Sequence, residues 1–264
     1  MFKKISPVEK EWKKICKKEQ SLIDKKRNKK ESKLDSFLSD KVPQGLQKTL
    51  NIAFTKAFDT IFSKGTEVIE KTYNKEKIHQ NYKINSYTAD IKNNRKSLKN
   101  FNKSSGDKIN LAISGVSGVG LGVLGIGLPD IALFTALMLK SIYQISLNYG
   151  YDYNREDEKH FILLLIQGAL LTGEDFEKTD KEVEFFIENG YTQQYISIED
   201  NISKTADCLS GELLYMKFLQ GVPIVGAVGG AYDFVYIKQV LDYAKIKYYK
   251  RFLHKRKNQI NKII

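Results

Sequence analysis

The sequence predicts an all-α fold, a single helical domain built around a glycine-rich helical hairpin. Apolar residues recur every three or four positions along most of the 264-residue chain, which is the period of an amphipathic helix. No segment of any length alternates apolar and polar residues as a half-buried strand does. Only four prolines interrupt the chain, so long helices are permitted almost everywhere. These features predict roughly seven to nine helices.

The first predicted helix begins at a capping box. The sequence SPVE at residues 6–9 places serine three residues before glutamate, with proline at the first helical position. This helix is expected to run to about Lys30, and the breaking stretch SDKVPQG at residues 39–45 follows it. The chain is therefore divided into a basic N-terminal helix, residues 1–38, and an all-helical domain, residues 39–258.

The next segment has the pattern of a second amphipathic helix. Apolar residues recur at helical spacing between residues 46 and 73, and Gly65 is expected to interrupt the helix. Residues 74–108 are polar and rich in lysine, with scattered aromatic residues. They predict a shorter helix and connecting loops.

A run of twenty residues, 111–130, is the least ordinary part of the chain. Its sequence LAISGVSGVGLGVLGIGLPD holds six glycines and no charge before the last position. Small apolar residues of this kind predict a thin helix rather than a loop. We expect a helical hairpin of residues 108–127 and 131–149, joined by a tight turn.

The turn of this hairpin is predicted by three residues. Gly127 suits the left-handed position that ends a helix, and Pro129 follows where the helix cannot continue. Asp130 is expected to cap the next helix. Because it follows a proline directly, capping is the simplest role for its carboxylate.

Small residues at a spacing of four allow two helix backbones to approach closely. Two segments of the chain have this spacing, and a close-packed contact between them is expected. The five positions concerned are Ser114, Gly118 and Gly122 in the hairpin, and Gly226 and Gly230 in the later segment GVPIVGAVGGAY.

Two other interpretations of the glycines are weaker. Residues 120–125 match G-x-G-x-x-G, but no strand precedes them and no acidic residue follows at the distance that a dinucleotide site requires. Residues 109–129 are uncharged for 21 positions, long enough to span a bilayer. However, Lys140 lies near the middle of the partner helix, where an unpaired charge is costly in a membrane. A buried hairpin is therefore favoured over one in a bilayer.

Three capping pairs predict helices in the second half of the chain. They are Asn154 with Asp157, Thr179 with Glu182, and Ser197 with Asp200. Gly190 is expected to close the second of these helices. A long final helix is predicted to follow Pro223.

The formal charge of +12 is unevenly distributed. Residues 1–110 hold 27 Lys or Arg against 13 Asp or Glu, a net of +14, and residues 238–264 hold 9 against 1, a net of +8. Residues 151–212 hold 5 against 15, a net of −10. Only five of the 43 basic residues are arginine, the residue that reads bases best, so nucleic acid is a poor candidate partner. Solvated faces or an anionic membrane surface fit the lysines better.

The last basic segment also contains aromatic residues, a composition that settles at the headgroup depth of anionic membranes. Together with residues 1–33, it is predicted to bind a membrane surface reversibly, in a salt-dependent manner. The predicted membrane-surface residues are Lys245, Lys247, Tyr248, Tyr249, Lys250, Arg251 and Phe252.

No motif of a known active site or cofactor site is present, so no catalytic residue, metal or cofactor is predicted. The two cysteines suggest no disulfide framework, and residues 1–14 lack the apolar stretch of a signal peptide, which together indicate a cytoplasmic location. Glu156 and His160 are four apart on one helix, but no further ligand completes a zinc site. The sequence identifies no small-molecule ligand.

Three polar residues interrupt apolar or glycine-rich helix and form the candidate polar core. They are Asp130, Lys140 and Asp233. Buried charges need partners, so Lys140 is expected to pair with an acid if the hairpin packs against residues 223–240. The simpler roles are a helix cap for Asp130 and a hydrogen bond to a neighbouring helix for Asp233.

Three motifs carry a resemblance to a known family. They are GLPDIALF at 127–134, LKSIYQISLNYGYD at 139–152 and PIVGAVGGAYDFVYIKQVLDYAKIKYYKRFL at 223–253, with weaker similarity at 42–73. In these motifs the chain resembles the EcsC protein family. Lys140 stands where that family usually has arginine, and Asp233 where it often has asparagine. The resemblance implies a helical bacterial protein associated with membranes. It also implies a link to an ABC transporter, and it supplies no catalytic residue.

The sequence therefore predicts a non-enzymatic accessory protein, peripheral at the cytoplasmic membrane and associated with a transporter or envelope system. Two alternatives from other classes stay open. One is a hydrolase whose site uses Asp130, Asp233, or Glu156 with His160. The other is a membrane-active effector whose glycine-rich helices insert.

Overall fold

A computed structural model describes residues 5–28, 44–106, 129–219 and 231–261. Within these ranges the chain forms nine helices and no strand, which confirms the all-α prediction. In chain order the helices are α1 (Pro7–Asn28), α2 (Gln44–Thr60, continued by Ile61–Gly65 and Thr66–Glu70), α3 (Lys75–Lys92), α4 (Arg95–Gly106), α5 (Pro129–Asn148), α6 (Glu156–Leu170), α7 (Gly173–Asn189), α8 (Ile198–Leu219) and α9 (Ala231–Asn261).

Helix starts with a capping serine were predicted correctly. At the start of α1, the Glu9 backbone N–H donates to Ser6 Oγ at 3.1 Å, and Pro7 is the first helical residue. At the start of α8, the Asp200 backbone N–H donates to Ser197 Oγ at 3.0 Å. Both contacts satisfy a donor that the helix itself leaves free.

The predicted interruption of α2 at Gly65 is a π-helical turn. This turn covers Ile61–Gly65 and interrupts the regular α-helical hydrogen bonding, while its flanking residues keep right-handed helical angles. The Thr66 hydroxyl donates to the Ile61 carbonyl at 2.9 Å across the widened turn. The prediction of one interrupted helix is therefore confirmed.

Three other predicted boundaries were wrong. Helix α7 begins at Gly173, six residues before Thr179, and its first turn buries Phe176 in the core. Helix α6 begins after Arg155, because the Asn154 N–H instead donates to the Asp152 carboxylate in the preceding turn. Residues 74–108 contain two helices, α3 and α4, separated by a left-handed Asn93 with φ 38°.

The turn before α5 also differs from the prediction. Helix α5 begins at Pro129, so Asp130 lies inside the first turn rather than at the capping position. Proline is favoured as a first helical residue because its missing N–H has no helical partner there. The predicted end of α7 is confirmed, since Gly190 has φ 86° and its N–H donates to the Phe186 carbonyl at 2.8 Å.

Helix α9 lies at the centre of the described fold. It packs against α1, α5, α6 and α7, and α4 also contacts it. Helix α8 packs against α2 and α6, while α3 packs against α4 and α5. Five aromatic side chains meet where α4, α5 and α9 converge: Phe101, Tyr149, Tyr248, Tyr249 and Phe252.

The N-terminal helix is part of this packing. Val8 and Ile15 of α1 are buried in the same core as α9, and the Lys26 ammonium donates to the carbonyls of Ala169 and Leu171 at the end of α6. Residues 7–28 therefore fold with the helices assigned to residues 39–258 rather than as a separate unit.

The close-packing prediction for the glycine segments lies outside the described residues. It concerns Ser114, Gly118, Gly122, Gly226 and Gly230. The segment predicted as the second arm of the hairpin forms α5, and it is buried along almost its whole length. Contact between the two glycine segments stays a prediction.

Candidate functional site

The basic and aromatic segment near the C-terminus faces inward. Five of its seven predicted membrane-surface residues are buried, namely Lys247, Tyr248, Tyr249, Lys250 and Phe252. Arg251 and Lys245 are partly buried. These side chains form the interior of the helical bundle, so the prediction that they form a surface was wrong.

Lys247 is the centre of a buried network of charges. Its side chain is fully buried, and its Nζ lies 2.6 Å from carboxylate oxygens of Glu19, Asp180 and Glu184. The Tyr243 hydroxyl, one turn earlier on α9, donates to Asp180 at 2.6 Å. The network joins α1, α7 and α9.

Lys250 completes the network by binding two of the same acids, Glu19 and Glu184. Glu19 and Glu184 therefore bridge two ammonium groups, and two cations face three carboxylates. Buried charges persist in proteins when they are paired in this way.

The pKa values show how strongly the charges interact. Desolvation alone would lower the pKa of Lys247, but Tyr243 and the surrounding carboxylates raise it well above the ordinary lysine value. Burial raises the pKa of Glu184 as well, yet the charges of Lys247 and Lys250 outweigh burial and lower it to about 2. For Glu19 burial is the larger effect, so its pKa is raised. Lys247 therefore stays charged at neutral pH, and a protonated lysine of this kind cannot act as a base.

A second buried carboxylate lies in the first turn of α6. Glu158 accepts hydrogen bonds from the Tyr248 hydroxyl at 2.6 Å and from Arg251 Nη1 at 2.7 Å. The Arg251 guanidinium lies over the ring of Tyr151 at 4.0 Å and over Phe161 at 4.7 Å. Desolvation raises the pKa of Glu158, and Arg251 only partly offsets this effect.

A third buried carboxylate, Glu11, lies on the inner side of α1. It accepts hydrogen bonds from Arg95 Nε at 2.7 Å and from the Tyr249 hydroxyl at 3.2 Å. It therefore ties α1 to both α4 and α9. Glu11, Glu19 and Glu158 are each buried and bonded to cations or hydroxyl donors of other helices, an arrangement that ties the helices together.

The candidate polar core is not assembled in the part of the chain that the structure describes. Lys140 is buried in α5, where desolvation lowers its pKa, and no described acid forms an ion pair with it. Asp130 lies ten residues earlier on the same helix, about 15 Å along the axis, too far to pair with Lys140. Asp233 lies in the first turn of α9, and the side chains of both aspartates are outside what the structure describes.

The two residues of the second candidate pair, Glu156 and His160, also lie in different environments. Glu156 is exposed, whereas His160 is buried and its Nδ1 lies 3.0 Å from the Asn201 side-chain nitrogen. Asn201 in turn accepts a hydrogen bond from Gln167 at 2.8 Å, and Gln167 also donates to Thr205 at 2.8 Å. Burial lowers the pKa of His160, so the ring is a neutral member of a polar network between α6 and α8.

Two further features of the described residues bear on the site. No group of three or more His, Cys, Asp or Glu side chains among them is placed to hold a metal ion. One helix among them, α5, is long and apolar enough over Ile131–Asn148 to cross a membrane, but 89% of this stretch is buried inside the fold. A buried core helix passes the same test of length and composition.

The exposed side of α1 differs from its inner side in charge. The acids Glu11 and Glu19 face inward, as described above, while the lysines at helical spacing face solvent. The exposed lysines are Lys10, Lys13, Lys14, Lys17, Lys18 and Lys25. Helix α1 therefore presents a row of lysines to solvent, while two of its four acids, Glu11 and Glu19, are paired inside the fold.

Helix α3 presents the second unusual surface. Ile84, Tyr87 and Ile91 are 63%, 68% and 64% exposed and lie three and four residues apart, on one side of the helix. Exposed Lys83 and Lys92 lie beside them. Helix α4 packs against both α1 and α3, and its Lys96 is also exposed.

A groove of about 220 Å³ opens where α1, α3, α4 and α9 meet. The cation that lines the groove, Arg256, is already paired: it binds Asp90 at 2.7 Å and Ser86 Oγ at 3.0 Å. The groove is lined by Val8, Ala89, Asp90, Asn93, Leu98, Arg256 and Gln259. It places the first turn of α1 close to the end of α3.

The helical period of α3 is present in its sequence but is obscured by its polar composition. Apolar residues occur on both of its sides, because Ile78, Tyr82 and Ala89 pack inward while Ile84 and Ile91 face outward. Two opposed apolar rows weaken the helical period, so the segment reads as polar with scattered aromatics. The buried acids gave no local signal, because their partners come from distant helices.

The fold and its surfaces define a class of protein: an all-α bundle fastened by buried ion pairs, with basic and apolar residues exposed on α1, α3 and α4. The chain belongs to the EcsC protein family, whose model matches residues 6–253. This match begins one residue before α1, in agreement with the packing of that helix into the fold. No curated protein and no solved structure matches the chain significantly.

Proposed function

We propose that this EcsC-family protein is a non-enzymatic accessory protein that binds peripherally to the anionic inner face of the cytoplasmic membrane, beside a transporter or another envelope system. The observation that carries the proposal is the separation of charge across α1. Its buried acids Glu11 and Glu19 bind cations at its inner side, while six of its seven lysines face solvent. The exposed Asp24 and the partly exposed Glu9 offset only part of that positive charge. An anionic leaflet attracts such a surface by about 1 kcal/mol for each nearby lysine.

The interior supports a structural rather than a catalytic role for the remaining charges. Lys247, Lys250 and Arg251 bind Glu19, Glu184 and Glu158, so they add nothing to an exposed surface. The C-terminal segment therefore presents less positive charge to a membrane than its sequence suggests. The hydrolase alternative has less support, because His160 is bonded to Asn201 rather than to a carboxylate.

The test is co-sedimentation of the full chain with vesicles of phosphatidylglycerol and phosphatidylcholine, or of phosphatidylcholine alone, at low and high salt. The wild type is expected to bind only the anionic vesicles and to be released by salt. Replacing Lys10, Lys13, Lys14 and Lys17 by glutamine should weaken binding by about tenfold or more at low salt.

The control is a variant with the same loss of charge elsewhere. Lys178, Lys181, Lys204 and Lys238 are exposed on α7, α8 and α9, and their replacement by glutamine should cost much less affinity. Binding that ignores lipid charge and salt, or that the two variants lose equally, would contradict the proposal. Deleting the C-terminal segment is unsuitable as a test, because it removes Lys247 and Lys250 from the core.

A further inference from the structure

The outer side of α3 carries an apolar row that no described part of the chain covers. Ile84, Tyr87 and Ile91 span seven residues, about 10 Å along the helix axis. The opposite side of α3 already packs against α4 and α5. Three large, mostly exposed apolar side chains in one row form a contiguous patch rather than scattered exposure.

Lysines border the row on both sides. At 3.6 residues per turn, Lys83 lies roughly 100° to one side of Ile84 and Lys92 about 80° to the other. Both are exposed, and exposed Lys96 follows in the first turn of α4. The row is therefore apolar along its centre and positively charged at its edges.

The acids of α3 do not neutralise this surface. Asp90 forms an ion pair with Arg256 at 2.7 Å. Glu76 is exposed two turns before Ile84, where it accepts a hydrogen bond from Gln80 at 3.3 Å. In the four positions after Ile91 the charged residues are both basic, Lys92 and Arg95.

These features favour one binding partner for the apolar row. A second copy of the chain docked through the same row would bring lysines against lysines, because a two-fold interface is self-complementary. An anionic bilayer complements both parts of the row. Its acyl chains can contact the apolar centre, and its phosphates can pair with the lysines at the edges. Lysine edges and a tyrosine beside aliphatic residues are typical of helices that lie in the membrane interface.

We infer that α3 is the element that enters the membrane. It lies parallel to the bilayer, with Ile84, Tyr87 and Ile91 in the boundary between headgroups and acyl chains and with Lys83 and Lys92 at the phosphates. This inference rests on the proposed membrane function. The lysines of α1, which also packs against α4, then attract the protein to the anionic membrane at long range, and α3 inserts into it.

The decisive variant replaces Ile84, Tyr87 and Ile91 together by glutamine, which removes the apolar row without changing charge. The matched control replaces Ile52, Val235 and Tyr191, three exposed apolar residues on α2, on α9 and after α7. Both variants change only exposed positions, and circular dichroism melting checks that both fold. Partition onto anionic vesicles should fall by tenfold or more in the α3 variant and by less than about twofold in the control.

The outcomes separate this inference from the proposed function. If the wild type binds anionic vesicles and the α3 variant binds equally well, α3 is not the inserting element, while peripheral binding stands. If the wild type does not bind anionic vesicles at all, both are wrong.

Depth is measured with Tyr87→Trp and vesicles of anionic lipids brominated along the acyl chains. Quenching of the new tryptophan is expected beyond that of Trp12 alone, which packs against the core. Vesicle binding without such quenching would overturn the insertion of α3.

Discussion

Gly168 on α6 lies against the ring of Tyr243 on α9, so closely that a Cβ at position 168 would sit 2.8 Å from the tyrosine hydroxyl oxygen. The ring has no room to move, because Tyr243 is buried and its hydroxyl is bonded to Asp180. The glycine thus sets the distance between α6 and α9, the helix that carries the two lysines of the buried charge network.

This contact predicts that Gly168→Ala destabilises the protein. Alanine favours a helix over glycine by about 1 kcal/mol, but the clash with Tyr243 should outweigh that gain and lower the free energy of unfolding by about 1–3 kcal/mol. The matched control is Gly45→Ala in the first turn of α2, where an added Cβ meets nothing within 4 Å. Urea denaturation should show equal or higher stability for the control. Equal effects of the two substitutions would contradict the packing argument.

A second prediction concerns the central cation. Lys247→Met leaves Glu19, Asp180 and Glu184 buried without their common partner, so the free energy of unfolding should fall by about 3–5 kcal/mol. Lys238→Met breaks the exposed pair with Asp242 on the same helix and should cost less than about 1 kcal/mol. Thermal melting followed by circular dichroism compares the two. Similar melting temperatures for both variants would show that the network contributes little.

The third prediction is a dependence on pH. The pKa of Glu184 falls to about 2 in the folded protein, below its ordinary value of 4.5, because Lys247 and Lys250 outweigh its burial. A lowered carboxyl pKa stabilises the fold above pH 4.5, and this contribution is lost as the pH falls toward 2. Glu19 and Glu158 act in the opposite direction, because their pKa values are raised.

The contribution of Glu184 is isolated by comparing the wild type with Glu184→Gln. The variant should be less stable at pH 7, and the difference should shrink as the pH falls from 4.5 to 2. Glu188→Gln, at an exposed position of the same helix, should differ little from the wild type across that range. Equilibrium unfolding in urea at several pH values gives the curves. A constant difference between wild type and Glu184→Gln would refute the assignment.

A fourth prediction tests the polar network between α6 and α8. Asn201→Leu removes the partner of His160 Nδ1 and the acceptor of a hydrogen bond from Gln167. Leaving buried polar atoms unpaired should lower the free energy of unfolding by about 1–3 kcal/mol. Asn189→Leu, near the exposed end of α7, is the control and should cost less than about 1 kcal/mol. No loss of stability in Asn201→Leu would mean that His160 and Gln167 find other partners.

Local signals in the sequence were sufficient for much of the fold. Ser6 and Ser197 start helices, Gly190 ends one, and Gly65 marks the π-helical turn, because each effect depends on the backbone within one turn. The family was also recognisable from residues that now lie in α5 and α9.

The direction in which α9 faces could not be predicted in this way. Lysines beside tyrosines are typical both of a membrane-surface helix and of a buried helix whose cations meet acids. The difference lies in Glu19 and Glu184, which come from α1 and α7 and are 231 and 66 residues from Lys250. The sequence pattern of one helix contains no information about the acidic residues that other helices place beside it.

The pairing of Glu19 with Lys247 joins residues 228 positions apart, and this has a consequence for biosynthesis. At about 5–20 residues per second, a ribosome adds Lys247 roughly 10–45 s after Glu19. For most of that interval α1 is complete but lacks α9, the helix with which it packs most extensively. A nascent chain stalled before residue 247 should therefore be cut by protease within α1, whereas the released protein should resist; resistance of the stalled chain would refute the idea. Helix α1 is therefore synthesised first but packs among the last, and until then its apolar side is accessible to chaperones.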